Sequence, residues 1–317
     1  GDIQIPTFTM SMSLDADSWA WGFSADVPRG ALSSLQPSSF GDPVELEAWV
    51  NGVPYRFLAE QLSATRTFGK ESLRIAGRGL TATLDSPYAP VLNFGNAGAR
   101  TAQQLMGDAL TINGVPLGWA VDWRLTDWLV PGNVWTHQGS YIGALNSIVQ
   151  AAGGYLQPHA SDKTVHALLR YPTAPWNWGG ASIDFELPAD VTTQEGVAWQ
   201  ENPRYNRVFV SGASQGVLGQ VTRAGTDGAS VAPMVTDALI THADAARQRG
   251  ISLLAQSGRQ AMVSLQLPVL ESTGVIPPGK MVRYVDGTTT RVGITRGVQV
   301  DVRMPEIFQQ IEVETYA

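Results

Sequence analysis

The run Asn202-Pro203-Arg204-Tyr205-Asn206-Arg207-Val208-Phe209-Val210-Ser211-Gly212 decides how this chain is divided. Val208 and Val210 alternate with Phe209 and Ser211, the two-residue period of a strand rather than the 3.6-residue period of a helix. The run reads as the opening strand of a second β-domain, residues 201–317. Strand-like text follows at 217–223, 262–267, 281–285, 291–300 and 309–315, with Pro277-Pro278-Gly279 as a tight turn. One helix interrupts it. Thr241 with Asp244 opens that helix, and Ala243, Ala246, Gly250, Leu253 and Leu254 line one side. A packing face rich in small residues lets a neighbour approach closely.

Upstream, residues 1–95 read as a first β-domain. Residues 11–27 alternate, with Trp19, Trp21 and Phe23 on one face. Val44, Leu46, Ala48 and Val50 alternate next, Asn51-Gly52 turns the chain, and Val53, Tyr55 and Phe57 return. Asn-Gly between alternating runs is a strong hairpin signal because both turn residues need positive φ. A further hairpin is expected near Phe68-Gly69-Lys70. Residues 96–175 read as an α+β insert of two helix–strand–strand units, the first helix capped by Thr101 with Gln104 and the second starting at Ser140. Residues 176–200 read as a Pro/Trp-rich connector. The fold class is thus mainly β with an α+β insert.

Composition narrows the function. Hydrophobic residues make up 44% of the 317 residues and charged ones 15%, so the chain has ample core and a surface poor in charge. Such a surface suits extensive cover by partners. The net charge is −7 without a Lys/Arg run, which speaks against sequence-reading of nucleic acid. The absence of cysteine excludes disulfides and thiol chemistry. No apolar run approaches the ~18 residues of a membrane span. The chain opens Gly1-Asp2 without a methionine, as a processed or truncated piece would.

Several motifs invite a chemical reading. Gly212-Ala213-Ser214-Gln215-Gly216 matches the G-x-S-x-G of a hydrolase nucleophile, with His242 the sole downstream histidine. That chemistry needs a strand-to-helix turn, and the text after Gly216 reads as strand, so a hairpin is favoured. Gly77-Arg78-Gly79-Leu80-Thr81-Ala82 loosely matches a dinucleotide fingerprint, but 80–84 reads as extended rather than helical, which favours turn or bulge glycines. His159, Asp162 and His166 are close in sequence without the further ligands that zinc needs. Asp184 and Glu186 share a strand face, a weak glycosidase signal. Trp176 and Trp178 in the Pro-rich connector would offer stacking faces if exposed. A secreted carbohydrate-binding or glycan-hydrolysing β-protein, and a serine hydrolase centred on Ser214, are the alternatives these motifs keep open.

Taken together, an ordered set of motifs resembles the baseplate hub family of long-tailed bacteriophages. The set comprises Ser18-Trp19-Ala20-Trp21-Gly22-Phe23, then Gly77-Arg78 followed by Thr83-Leu84-Asp85-Ser86-Pro87-Tyr88-Ala89-Pro90. Next come the helix 140–152 leading into Gly154-Tyr155-Leu156, and Tyr205-Asn206-Arg207-Val208 with Asp244-Ala245-Ala246-Arg247 and Pro278-Gly279. The resemblance implies two tail-tube-like β-barrel domains separated by small α+β domains. It implies a homotrimer whose six barrels match a six-fold tail tube to a three-fold spike or central fibre. Its implied partners are tail-tube or distal tail proteins, the spike or fibre, and a tape-measure protein. DNA would cross an acidic lumen without sequence-specific binding. The implied location is the virion tail tip, assembled in the host cytoplasm, with no catalytic residue and no cofactor. Trp19, Trp21, Trp176, Trp178, Ala246 and Gly250 are the candidate subunit-interface residues. Some members of the family carry lytic or fibre-like extensions, and the length of this sequence is that expected of the hub core of a longer protein.

Overall fold

A computed structural model describes residues 3–36, 43–68, 70–213, 215–286, 289–303 and 305–316. The first β-unit contains β1 (Thr9–Asp15), β2 (Gly22–Val27), β3 (Val44–Val50), β4 (Val53–Thr67) and β5 (Lys70–Gly79), with the short helix α1 (Leu32–Leu35) between β2 and β3. The segment expected as one long alternating stretch is a hairpin, β1 against β2, with Trp19 and Trp21 beyond the paired residues. Asn51 and Gly52 turn β3 into β4 at φ 49° and 78°, the left-handed backbone that an Asn-Gly hairpin requires. β4 and β5 also form a hairpin, Thr67 opposite Lys70, with Gly69 outside the described residues. A 3-10 helix, Leu80–Leu84, follows where extended chain was expected.

The insert follows. It holds β6 (Leu92–Gly95), β7 (Arg100–Thr101), α2 (Ala102–Ala109), β8 (Thr111–Ile112), β9 (Val115–Pro116), β10 (Ala120–Trp123), β11 (Leu129–Val130), β12 (Thr136–Gly139), α3 (Tyr141–Ala151), β13 (Gly154–Pro158) and β14 (Thr164–Leu169). Thr101 and Gln104 form the reciprocal capping box, and the Ser140 side chain accepts from the Gly143 N–H to start α3. α2 and α3 share one core with Leu105, Met106, Trp128, Trp135, Leu145 and Ile148. β10, β14 and β13 form a single three-stranded sheet, so the two helix–strand units are one packed body.

Then come β15 (Phe185–Leu187), β16 (Gln194–Glu201), β17 (Arg207–Ser211), β18 (Leu218–Thr222), β19 (Val235–Thr236), α4 (Ala243–Ala255), β20 (Arg259–Pro268), β21 (Met281–Asp286), β22 (Thr289–Arg303) and β23 (Glu306–Tyr316). Here the strand at 207–211 corrects the sequence reading. It forms, but in a separate sheet, β18-β17-β19, against which α4 packs. The strand that opens the second β-unit is β16, from the stretch read as connector. Residues between β16 and β20 are therefore a second small α/β insertion. α4 starts one residue later than expected: His242 is its N-cap, its ring Nδ1 accepting from the Asp244 N–H.

One 11-stranded sheet runs β16-β20-β23-β22-β1-β2-β5-β4-β3, with β21 beside β22 and β15 beside β21. Its two halves follow one plan. The first unit reads β1-β2-β5-β4-β3, and the second reads β16-β20-β23-β22-β21. β4 and β22 are each 15 residues long. Each pairs its first half with the preceding strand and its remainder with the following one. Register shifts fall at the same place, between Ala59 and Gln61 in β4 and between Thr295 and Gly297 in β22. The bulged residues are Glu60 and Arg296, and each faces an opposite charge on the next strand. Arg78 Nη2 lies 2.7 Å from Glu60, and Arg296 Nε lies 2.6 Å from Glu314. The same ion pair thus sits at the same bulge in both units with its signs exchanged. β1 pairs β22, Met10 opposite Val302 through Asp15 opposite Gly297, and welds the two units together.

Candidate assembly surfaces

Side chains alternate across the sheet, so each strand contributes one row to either face. One face buries Met12, Leu14, Val263, Leu265, Val298, Val300, Ile311 and Val313 in the main core. The other carries a lateral row of Gln194, Gln266, Gln310, Gln299 and Ser13, directly opposite one another from β16 to β1. The neighbouring row is Gly196, Ser264, Glu312, Gly297 and Asp15. Amides, hydroxyls, glycine and acids make this face wettable without attracting phosphates. A concavity of about 470 Å³ opens on it, bounded by Trp19, Arg78, Gln299 and Glu312.

The sheet ends on open edges. Every residue of β16 is exposed, and beyond its pairing with β20 that strand has no further partner among the described residues. The last part of β4, 61–66, pairs β5 on one side and no strand on the other among the described residues. Unpaired N–H and C=O rows of this length are templates for a further strand. Apolar side chains run out to the same edge: Val197 is 45% and Trp199 51% exposed. Trp49, on the charged face of β3 beside Glu45 and Glu47, is 63% exposed.

Of the six residues proposed from sequence, Trp19 borders the concavity, and none lies on the open edge strands. Trp21 is buried against Tyr55, ring centroids 5.3 Å apart, and Trp178 is buried with its Nε1–H donating to the Thr173 carbonyl. Trp19 is half-buried under Arg78, and Trp176 half-buried under Arg223. Ala246 and Gly250 do face a close neighbour, but it is the chain's own β17–β18 pair: a Cβ on Gly250 would stand 2.4 Å from Val221 Cγ2. Their packing is accounted for within one chain. The exposed tryptophans that sequence reasoning passed over had one legible signal. In β3, Val44, Leu46, Ala48 and Val50 point inward, which leaves Trp49 on the glutamate face.

The chemical motifs resolve into structure. Gly77 sits at the β4 bulge, where a Cβ would lie 1.8 Å from the Leu58 carbonyl oxygen, and a five-residue 3-10 helix follows it, so these are packing glycines. Gly212 and Gly216 close a β17–β18 hairpin in which a Cβ on either would lie 2.1 Å from the other's Cα. No helix follows them, and Ser214 lies outside the described residues. His166 Nδ1 is 2.8 Å from Asp122, whose carboxyl is held low by hydrogen bonds from Arg124 and His166. His159 Nδ1 instead accepts from the Ser161 and Asp162 N–H groups. Among the described residues no three His, Cys, Asp or Glu side chains converge as a metal site would need. Asp184 accepts from the Met281 N–H and Glu186 pairs Arg283, so both tie β15 to β21.

The most enclosed polar cluster surrounds the second bulge. Arg296 and Glu314 are only 5% and 6% exposed. Tyr171 donates to Glu314 Oε1 at 2.7 Å, Gln260 donates to the same oxygen, and Arg296 donates to the Arg170 carbonyl. Burial pushes the Tyr171 hydroxyl well above its ordinary pKa, so it stays a neutral donor. Arg170 in turn pairs Asp17, and that hydrogen bond holds the Asp17 carboxyl below its usual value. The network ties the insert to the β1–β2 turn, β22 and β23, and Asp17 and Arg170 also line a cavity of about 320 Å³ beside it.

No protein-family model matches the sequence, and no curated protein sequence matches it either. Solved structures do. A tail protein from Neisseria meningitidis superposes with TM-score 0.66 at 14% identity, covering 97% of this chain and 92% of that one. The prophage tail protein gp18 from Listeria monocytogenes gives TM-score 0.61 at 14% identity, covering 98% and 89%. An Escherichia coli type VI secretion component, described as similar to T4 tail proteins gp27 and gp5, gives TM-score 0.59 at 10% identity, covering 99% and 75%. The chain has the fold of these phage tail and type VI secretion proteins.

Proposed function

We propose that the chain is a structural component of a phage-type tail tip, the baseplate hub, and that it works as a homotrimer. The observation that carries this reading is the whole-length fold match, 97% of this chain on 92% of a phage tail protein. The duplicated β-unit supports it. Three copies supply six β-units, so one ring presents six-fold pseudosymmetry to a tail tube and three-fold symmetry to a spike or central fibre. The Gln/Ser/Gly face with Asp15 and Glu312 suits a lumen through which DNA slides unheld. Trp49 and the open edges, rather than Trp21 or Trp178, supply the contacting surface. The small inserts, built on α2, α3 and α4, would ride outside the ring. The role is mechanical and needs neither catalytic residue nor cofactor.

The test is negative-stain imaging of the protein co-expressed with its neighbouring tail proteins. A three-fold ring with a central hole and six lobes is expected. Compact monomers beside those partners would overturn the hub reading.

A further inference from the structure

The internal repeat specifies how one copy meets the next. In the first unit β1 is the outermost strand, and it does not end the sheet: it pairs the second half of β22. In the second unit the strand in the place of β1 is β16, and nothing pairs it among the described residues. In the first unit the strand in the place of β22 is β4, and its residues 61–66 are equally open to a further strand among the described residues. The chain therefore contains one closed joint and the two separated halves of a second joint of the same kind. We propose that β16 of one copy pairs antiparallel with 61–66 of β4 in the next copy, head to tail, repeating the β1–β22 joint between chains.

The register follows from the pairing within the chain. Met12 and Val197 occupy the same place, opposite Phe23 in β2 and Val263 in β20 respectively. Val300 and Ala64 likewise correspond, five positions past the bulge start in β22 and β4. Since Met12 stands opposite Val300, Val197 stands opposite Ala64 of the neighbour. Trp199 then meets Leu62, as Leu14 meets Val298 within the chain. Both apolar pairs fall on the core-facing side, so the apolar layer that runs out at Val197 and Trp199 continues into the neighbour's Leu62 and Ile75. Glu195 falls opposite Arg66, an exposed cation that pairs Glu71 on the neighbouring strand of its own sheet. A one-residue slip would turn every side chain to the wrong face and lose both matches. Head-to-tail joints close into rings when the rotation per copy allows it.

This register rests on the reading of the chain as a self-assembling ring component, and the experiment separates the two. The chain has no cysteine, so Val197→Cys in one copy and Ala64→Cys in another report one contact. Directly opposite residues in an antiparallel pair stand close enough for a disulfide. Mixing the two single variants under mild oxidant should give a covalent dimer. The double variant should give a ladder that ends at a closed ring. Replacing Ala64→Cys by Ser63→Cys, which points to the opposite face, should lower the yield roughly tenfold. Glu195→Arg should weaken self-association several-fold, and Arg66→Glu in the same chain should restore it. A chain that assembles by light scattering but links best through Ser63→Cys overturns the register and leaves the ring reading standing. A chain that stays monomeric beside its tail partners and forms no link overturns both.

Discussion

The two β-units share strand order, the length of the bulged strand and the bulge position, yet the ion pair at the bulge is placed differently in each. In the second unit Arg296 and Glu314 are 5% and 6% exposed, whereas in the first Arg78 and Glu60 are 30% and 17% exposed. The insert, through Tyr171, and the β1 weld close over the second bulge. The first unit's bulge stands nearer the open end of β4. One architecture has thus been used twice, once as the closed frame of the chain and once with an open end.

The largest expected effect is at the buried pair. Glu314→Ala leaves Arg296 charged, buried and unpaired, and should cost about 3–5 kcal/mol in chemical denaturation. Next is Gly77, whose place in the second unit is taken by Val313. Gly77→Ala drives a Cβ into the Leu58 carbonyl and should cost about 1–3 kcal/mol. Glu60→Ala, at the more accessible copy of the ion pair, should cost only about 1 kcal/mol. Equal costs at Glu60 and Glu314 would erase the distinction between frame and open end.

A smaller effect is expected with pH. Hydrogen bonding from Arg170 lowers the Asp17 carboxyl below its ordinary 3.8 in the folded chain. Its contribution is therefore present above that value and is lost as pH falls through the lower folded one. Asp17 is largely solvent-facing, so solvent screens much of the gain. Asp17→Asn should lower neutral-pH stability slightly and flatten the acid limb of a thermal-melt series, so that variant and parent converge below about pH 4. The smallest folding effect is at the edge: Trp199→Ser should leave the melting temperature of the isolated chain within about a degree or two while lowering self-association.

Much of the local structure was legible from sequence because its causes are local. The Asn51-Gly52 turn, the Thr101–Gln104 capping box and the Ser140 cap each depend on residues within three positions of one another. The place of a strand in a sheet is not local. Val208 and Val210 do alternate inward, but alternation says only that one face is buried, not which sheet buries it. β16 was passed over because an edge strand with every residue exposed has no buried face to impose a pattern. The repeat was illegible for a related reason. It is held by strand length and by where a bulge falls, and the residues doing equivalent work, Glu60 with Arg78 and Arg296 with Glu314, have opposite signs. Tryptophan content pointed to interfaces, but Trp21 and Trp178 are needed by the chain's own cores, and the exposed rings are Trp49 and Trp199, the latter with Arg259 over one face.

The most direct test is a cryo-electron microscopy map of the assembled ring, read for the symmetry of its β-layer. The account predicts one unbroken sheet with six-fold pseudosymmetry, in which β1–β22 joints within chains alternate with β16–β4 joints between them, and three-fold symmetry in the outer inserts. A β-layer broken between chains, or copies related by a two-fold axis, would contradict it.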